Sequence, residues 1–406
     1  MASEPGATED DVKVDTSTKL ARAQYDANVA FGKGYKARCV STGAPKRVLL
    51  TGFGRFMTVT DNATGRMLAE LVPDAAYPET VSPPAGTVDP PSPQLSVGST
   101  TLTLEGVGDV DVCALILPVY WDLASVLIAR EIQAYRPDLV VMNGVYPGSD
   151  WLTLELGTIN RAVGAYDGSG NLKPVAGDGS AGFWGEAPLL EGLPPEDDAR
   201  GLVLSYDEVR VAAEAAIAAH RDEAVAGLSF GDVMTGVKFG GFPRDNTYLC
   251  NNTAYVTSYL LDHPGKTVPL LRASIAVKGK SNEIKTRIDF DGRAVPRVFV
   301  HWPDALVQGH IGAGADVLRA IVRAQLLTPA TAVRGDNAWA DPSLAGSPRL
   351  APPLLGSISV PRAGRRKAHS CGDARLAEAD PKSLTCEKVP RRNRERHQIS
   401  DTVGRR

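Results

Sequence analysis

Cys250 and His301 have the residue types and the settings that nucleophilic catalysis requires. Cys250 follows a strand-like segment, residues 233–242, and precedes a segment with apolar residues at helical spacing, residues 253–261. A cysteine at such a turn faces the unpaired N–H groups and the positive dipole end of a helix, and both stabilise a thiolate. His301 closes a short apolar strand, residues 298–301, so it is placed to act as the base of a Cys/His pair.

Residue type and spacing alone leave a structural alternative open for both residues. Cysteine is among the most buried residue types, and most free cysteines pack in cores as small apolar side chains. A histidine that closes a strand is often held there by a hydrogen bond. The choice between catalysis and packing therefore depends on the residues around the pair.

Four short segments carry a resemblance to one enzyme family. They are VLLTGFGRF (residues 48–56), LTLELGTIN (152–160), NTYLCN (246–251) and FVHWP (299–303). In the same order, they resemble the opening strand and loop, the glutamate segment, the nucleophile segment and the histidine segment of the pyroglutamyl peptidase I family of cysteine peptidases, also called pyrrolidone-carboxyl peptidases. The resemblance covers roughly residues 46–325.

The resemblance implies an enzyme that removes an N-terminal pyroglutamyl residue from a peptide or a small amide. Its catalytic residues would be Glu155, Cys250 and His301, with the cysteine as nucleophile, the histidine as acid and base, and the glutamate orienting the imidazole. Backbone N–H groups near Cys250 and in the loop of residues 53–55 would stabilise the oxyanion. The resemblance implies neither a cofactor nor a metal, and it implies possible homo-oligomers.

The expected substrate group is a small, flat, uncharged lactam, and a pocket for it needs aromatic walls and a few polar contacts. Phe53 and Phe56 match the family's pocket aromatics, and Tyr248 stands where the family has an aromatic residue before the nucleophile. Val145 occupies the position of a glutamine that helps to hold the lactam. The chain departs from the family pattern at further positions, namely Met57, Thr58, Ser149 and Asn246.

These departures leave two other functions open. One is a cysteine amidohydrolase of the same fold that acts on a different small acyl group, because Val145 removes a polar contact to the ligand. The other is a binding module that keeps the fold without turnover. A Cys250→Ser variant separates the enzymes from the binding module.

Strand-like and helix-like segments alternate along most of the chain. The expected strands are residues 47–51, 101–104, 110–117, 139–142, 233–239 and 298–301, and the expected helices are residues 63–71, 123–135, 207–220 and 313–327. This alternation predicts an α/β fold with three α/β/α layers and a twisted, mostly parallel or mixed central sheet. Gly52, Gly144, Cys250 and His301 fall at or past strand ends, where such folds place their ligand sites.

The chain divides into three predicted parts. Residues 1–45 form a polar N-terminal extension that contains a helix at residues 16–32. Residues 46–328 form the catalytic domain, with an inserted arm near residues 263–290 that has the pattern of a β-hairpin. Residues 329–406 form a disordered basic tail, since residues 361–406 alone hold 13 Lys and Arg against 6 Asp and Glu.

Charge and cysteine content bear on partners and location. A net charge of −3, and no stretch of 18 apolar residues, give no reason to expect nucleic acid or membrane as a partner. The N-terminus lacks a secretory pattern. The five cysteines are odd in number and widely scattered, which argues against a disulfide framework and favours a cytoplasmic enzyme with one functional thiol. Cys113 is expected in the core.

Overall fold

A computed structural model describes residues 16–56, 59–78, 83–84, 86–163, 167–170, 186–240, 247–271 and 283–335. All of these residues belong to one unit of the chain, Met1–Pro353, and the second unit, Leu354–Arg406, lies outside the described residues. The same holds for most of the predicted basic tail, and for the departures from the family pattern at Met57, Thr58 and Asn246.

The chain alternates between strands and helices as the sequence predicts. The strands are β1 (Lys46–Phe53), β2 (Ser96–Leu104), β3 (Gly108–Leu117), β4 (Leu139–Tyr146), β5 (Trp151–Glu155), β6 (Gly157–Ile159), β7 (Ala162–Val163), β8 (Glu186–Ala187), β9 (Ala199–Gly201), β10 (Val203–Leu204), β11 (Ala224–Val225), β12 (Leu228–Ser229), β13 (Gly236–Gly240), β14 (Val268–Leu270), β15 (Ile284–Thr286), β16 (Arg297–Pro303) and β17 (Val333–Arg334). The α-helices are α1 (Thr16–Gly34), α2 (Ala63–Leu71), α3 (Leu123–Tyr135), α4 (Tyr206–His220), α5 (Phe230–Val233), α6 (Leu249–Asp262) and α7 (Ile311–Leu327).

A mixed sheet lies at the centre of the fold. Its strands follow the order β13-β5-β16-β4-β1-β3-β2, with β10 attached to β16 and β17 attached to β10. The four strands β16, β4, β1 and β3 are parallel. At one edge β2 runs antiparallel to β3, and at the other β5 and β13 run antiparallel to β16. The predicted α/β fold with a mixed central sheet is therefore confirmed.

Helices cover both faces of this sheet, because its central strands are apolar on both sides. Along β1, Val48 and Leu50 pack in a core with α2, α4 and α7. The alternate residues Leu49 and Phe53 pack in a second core with α1, α3 and α6. Successive side chains of a strand point to opposite faces, so the two cores lie on opposite sides of the sheet. The molecule has the three predicted layers.

The structure differs from the predicted element boundaries near the candidate nucleophile. The helix α6 begins at Leu249, so Cys250 is its second residue and does not precede it. On the other side, Phe230–Val233 forms the short helix α5, where the sequence pattern predicts the start of a strand. The physical reason is a capping box, in which the side chains of Ser229 and Asp232 each bond the other's backbone N–H.

Helix α1 is part of the hydrophobic core, although the sequence gives the segment that contains it no clear role. Tyr25 and Val29 of α1 are buried in the core that also contains side chains of α3 and α6. The hydroxyl of Tyr25 also donates to the carbonyl oxygen of Leu271, at 2.7 Å. Leu271 follows β14, which pairs antiparallel with β15 at the base of the predicted arm. Residues 272–282, between these two strands, lie outside the described part.

Cys39 and Cys113 form a disulfide bond, so the expectation of no disulfide is wrong. Cys113 lies in the core on β3, as predicted, and Cys39 reaches it from the segment after α1. The odd number of cysteines was a poor guide because one bond needs only two sulfurs that meet in space. Disulfides persist mainly in oxidising compartments, so this bond gives the predicted cytoplasmic location no support. In the described ranges, no helix is long and apolar enough to span a membrane.

We expect loss of the disulfide to lower the free energy of unfolding. The two cysteines are 74 residues apart, and closing a loop of that length stabilises the folded state by about 4 kcal/mol in the chain-entropy account. Urea unfolding of Cys39→Ser should therefore have a lower midpoint than that of the wild type. Cys250→Ser, which keeps the bond, is the matched control. Equal midpoints for Cys39→Ser and Cys250→Ser would contradict this prediction.

Candidate active site

Glu155, His301 and Cys250 form one chain of side-chain contacts. Oε1 of Glu155 lies 2.7 Å from Nδ1 of His301, and the His301 ring also hydrogen-bonds the Cys250 thiol. The side chains of His301 and Glu155 are only 5% and 13% exposed. Because Nδ1 faces the carboxylate, Nε2 is the ring nitrogen left for the sulfur. This is the order of acid, base and nucleophile that activates a thiol.

The sheet and one helix bring these three residues together. His301 on β16 lies opposite Thr153 on β5, and Glu155, two residues further along β5, points to the same face of the sheet. Helix α6 lies on that face and carries Cys250 in its first turn. Residues that are distant in sequence therefore meet on one face of the sheet.

The side chains of Glu155 and Cys250 occupy space that is free only because the neighbouring residues on β13 and β4 are glycines. A Cβ atom on Gly144 of β4 would lie 2.9 Å from Sγ of Cys250, and a Cβ atom on Gly240 of β13 would lie 2.1 Å from Oε2 of Glu155. Gly240 is also the residue paired with Glu155 between β13 and β5. Any larger residue at either position would displace a side chain of the predicted triad.

The environment of His301 favours the charged imidazolium. Burial disfavours the charged ring, but the charge and hydrogen bond of Cys250, followed by those of Glu155, outweigh it and raise the pKa of His301 to about 10. The ring is therefore protonated at neutral pH while it contacts the sulfur. An imidazolium beside a thiolate is the resting state that suits a cysteine nucleophile.

Asn251, the neighbour of Cys250, fastens the start of α6 to the segment that follows Glu155. Its Oδ1 accepts from the N–H of Ile159 at 3.0 Å and from the Thr158 hydroxyl at 2.6 Å. Its Nδ2 donates to the carbonyl oxygens of Ile159 and Arg161, at 2.9 and 2.8 Å. A narrow cleft opens beside the triad and is lined by Glu155, Gly157, Thr158, Cys250, Asn251, Ala254, Phe299 and His301.

Three of the predicted substrate-binding residues lie on the triad's face of the sheet. Phe53 belongs to the core on that face, and Phe56, Tyr248 and Cys250 pack against the same core. The ring of Tyr248 packs edge-on against Phe56, with centroids 5.9 Å apart, and against Trp121, with centroids 5.1 Å apart. The residues that line the cleft beside the triad are different ones, so the binding role of these aromatics stays a prediction.

The fourth predicted substrate-binding residue, Val145, lies elsewhere. Its side chain packs against the core on the opposite face of the sheet from Cys250, because side chains alternate along β4 and Gly144 occupies the triad's face. A contact between the Val145 side chain and a ligand at Cys250 therefore has no geometric support. The next residue, Tyr146, packs its ring against His301 with centroids 5.8 Å apart. The sequence pattern missed Tyr146 because it ended the strand at Met142.

The structure corrects part of the predicted oxyanion site. The N–H of Phe53 donates to the Thr64 hydroxyl at 3.1 Å, and the N–H of Gly54 donates to the carbonyl oxygen of Leu117 at 2.9 Å. Both N–H groups therefore already have acceptors within the fold and are not available to an oxyanion. The first N–H groups of a helix lack acceptors within that helix, so the N-terminus of α6, which includes Cys250, is the better source of oxyanion donors.

No protein-family model and no curated protein matches this chain. Solved structures do resemble it. Pyroglutamyl peptidase I from Bacillus amyloliquefaciens is 14% identical over 70% of this chain and 98% of its own, with a TM-score of 0.41. A mutant pyrrolidone carboxyl peptidase from Pyrococcus furiosus is 15% identical over 70% and 99%, with a TM-score of 0.40. The enzyme from Thermococcus litoralis is 16% identical over 69% and 93%, with a TM-score of 0.40.

Proposed function

We propose that this chain is a cysteine peptidase that removes an N-terminal pyroglutamyl residue from peptides or small amides. The observation that carries the proposal is the chain of contacts from Glu155 to His301 to Cys250 on one face of the central sheet. The four ordered motifs of the sequence add the choice of acyl group. The contacts support a cysteine nucleophile with a histidine base, and the motifs support a pyroglutamyl group as the acyl part of the substrate. Both are needed for the proposal.

In acylation, Sγ of Cys250 attacks the carbonyl carbon of the pyroglutamyl residue. The carbonyl electrons move to the oxygen, which accepts hydrogen bonds from N–H groups at the start of α6. His301 gives its proton to the departing nitrogen, the C–N bond breaks, and the amine leaves as a neutral group. A thioester between Cys250 and the pyroglutamyl group remains, and the imidazole is now neutral.

In deacylation, the neutral imidazole of His301 takes a proton from a water molecule that attacks the thioester carbon. The C–S bond breaks, pyroglutamate leaves, and the thiolate and imidazolium are restored. Glu155 holds Nδ1 through both steps, so the same ring nitrogen faces the sulfur, the leaving amine and the water in turn.

The test is release of a fluorophore from its pyroglutamyl amide, with the prolyl amide as the matched control. The two substrates share a five-membered ring, and the prolyl amide lacks the lactam carbonyl and carries a charged amine. We expect turnover of the pyroglutamyl amide alone, and loss of that turnover after iodoacetamide has alkylated Cys250. If Cys250 reacts rapidly at neutral pH and neither amide is cleaved, the acyl specificity is wrong. If Cys250 is also inert, the chain is not a cysteine peptidase.

A further inference from the structure

Tyr146 is an exposed aromatic residue at the open side of the predicted triad. It is the last residue of β4, and it is 49% exposed. Its ring meets the His301 imidazole edge-on, with centroids 5.8 Å apart and an angle of 75° between the planes. Strand alternation puts it on the same face as Gly144, the glycine that leaves room for Sγ of Cys250. Tyr146 therefore shares one surface with the nucleophile and the base.

The imidazole also has a buried aromatic neighbour on its own strand, β16. Phe299 packs against the His301 ring with centroids 4.9 Å apart and is only 1% exposed. The imidazole thus has one buried aromatic neighbour and one that faces solvent. Because the leaving amine takes its proton from His301, the departing part of the substrate lies beside this ring and extends toward solvent. Among the described residues, Tyr146 is a large, half-exposed side chain beside the imidazole on that side.

The backbone around Tyr146 is held in place. The strand β4 remains paired with β16 up to the pair of Tyr146 and Pro303. The turn that follows is closed by a hydrogen bond from the N–H of Ser149 to the Tyr146 carbonyl oxygen, at 3.1 Å. It is also tied to the residue after β16, since the N–H of Gly148 donates to Oδ1 of Asp304 at 3.2 Å. The ring is therefore presented at a defined position.

We propose that Tyr146 is a specificity-determining residue that contacts the side chain immediately after the scissile bond and selects an apolar or aromatic one. This proposal rests on the proposed function. An apolar side chain that covers the exposed ring removes apolar surface of both groups from water, and an aromatic one also gains a ring–ring contact. An acidic side chain would gain neither contact, and covering the ring would cost it part of its hydration.

The reaction sequence limits where this contact acts. The side chain after the scissile bond leaves with the amine, so it is absent from the thioester. Tyr146 should therefore change kcat/KM, which reports acylation, and leave the deacylation rate of a common pyroglutamyl thioester unaffected. A purely structural role in placing His301 would slow both steps, and it would do so equally for every leaving group.

The experiment compares pyroglutamyl-phenylalanine amide with pyroglutamyl-glycine amide. We expect the wild type to prefer the phenylalanine substrate by about 10-fold or more in kcat/KM, as one well-filled apolar subsite allows. Tyr146→Phe should keep this ratio, and Tyr146→Ala should bring it close to 1. Val211→Ala, an exposed change on α4, should keep it as well. An unchanged ratio in Tyr146→Ala, or equal losses for both substrates, would overturn the proposal.

A second readout separates this proposal from the proposed function. Phenylalanine amide, which is the leaving group alone, should protect Cys250 from iodoacetamide better than glycine amide does, and Tyr146→Ala should remove the difference. If no pyroglutamyl substrate is cleaved but this protection is seen, the acyl assignment fails and the Tyr146 subsite stands. If pyroglutamyl substrates are cleaved but both amides protect equally, the Tyr146 subsite fails and the proposed function stands.

Discussion

Cys250→Ser is expected to lower kcat/KM on a pyroglutamyl amide by about 10⁴-fold or more, as loss of a nucleophile does in other hydrolases. The reason lies in the protonation state of the pair. In the wild type, the charge and hydrogen bond of Cys250 are the largest effects that raise the pKa of His301 to about 10, and the variant loses this ion pair because a serine hydroxyl does not ionise beside the ring. A thiol ionises readily enough to share the proton with such a ring, whereas an alcohol does not.

The measurement needs two controls. One shows that the variant is folded, and the other shows that the alkylator reacts with Cys250. Cys250→Ser keeps the disulfide and changes one atom of a partly buried side chain, so its urea midpoint should match the wild type. Mass spectrometry of the alkylated wild type should find the modification on the peptide that contains Cys250, since Cys371 and Cys386 also carry sulfur. A serine variant with more than a tenth of the wild-type kcat/KM would rule out Cys250 as the nucleophile.

The sequence predicts the layers of the fold and the three residues of the candidate triad. The sequence places α2 and α3 at the bounds that the structure has. Helix α2 buries one stripe, α3 is buried on nearly all sides, and each ends shortly before a proline. The convergence of Cys250 and His301 follows from a general property of such sheets, whose functional groups gather at strand ends. Glu155 could be predicted as the third member only from the order of the four motifs, because a glutamate in this segment has no distinguishing pattern of its own.

Other features depend on contacts that no local pattern contains. The strand β4 runs past its apolar run because Asn143 is satisfied inside the core, where its Nδ2 donates to the Thr51 carbonyl oxygen at 2.8 Å and its Oδ1 accepts from Nε1 of Trp302 at 2.9 Å. That extension is what brings Gly144 and Tyr146 to the site. The Cys39–Cys113 bond and the packing of α1 likewise join segments that are far apart in sequence.

Glu155→Gln is expected to lower kcat by up to about 10⁴-fold with little change in KM, since a loss of that size follows when the acid of a serine protease triad becomes an amide. Glutamine has nearly the same shape, so binding of the lactam should persist. It lacks the negative charge that, together with Cys250, raises the pKa of His301 to about 10. Substrate binding and proton transfer should therefore separate in this variant.

The pH dependence of kcat/KM shows whether the Glu155 charge raises the pKa of His301. His301 must hold a proton to release the amine, so kcat/KM for the wild type should stay high up to alkaline pH and fall as the pH passes about 10. Removal of the Glu155 charge lowers the pKa of the ring, and the alkaline fall should then begin at a lower pH. A Glu155→Gln profile with the same alkaline limb as the wild type would mean that Glu155 does not act through His301.

Gly240→Ala tests the same role without changing any member of the triad. A Cβ atom at residue 240 would lie 2.1 Å from Oε2 of Glu155, so the carboxylate must move away from His301, and kcat should fall with the same shift of the alkaline limb. Gly236→Ala is the matched control, since it lies on the same strand and faces Trp151. In a Glu155→Ala background no carboxylate remains to be displaced, so Gly240→Ala should add little further loss. An equal loss in both backgrounds would show that Gly240 acts on something other than Glu155.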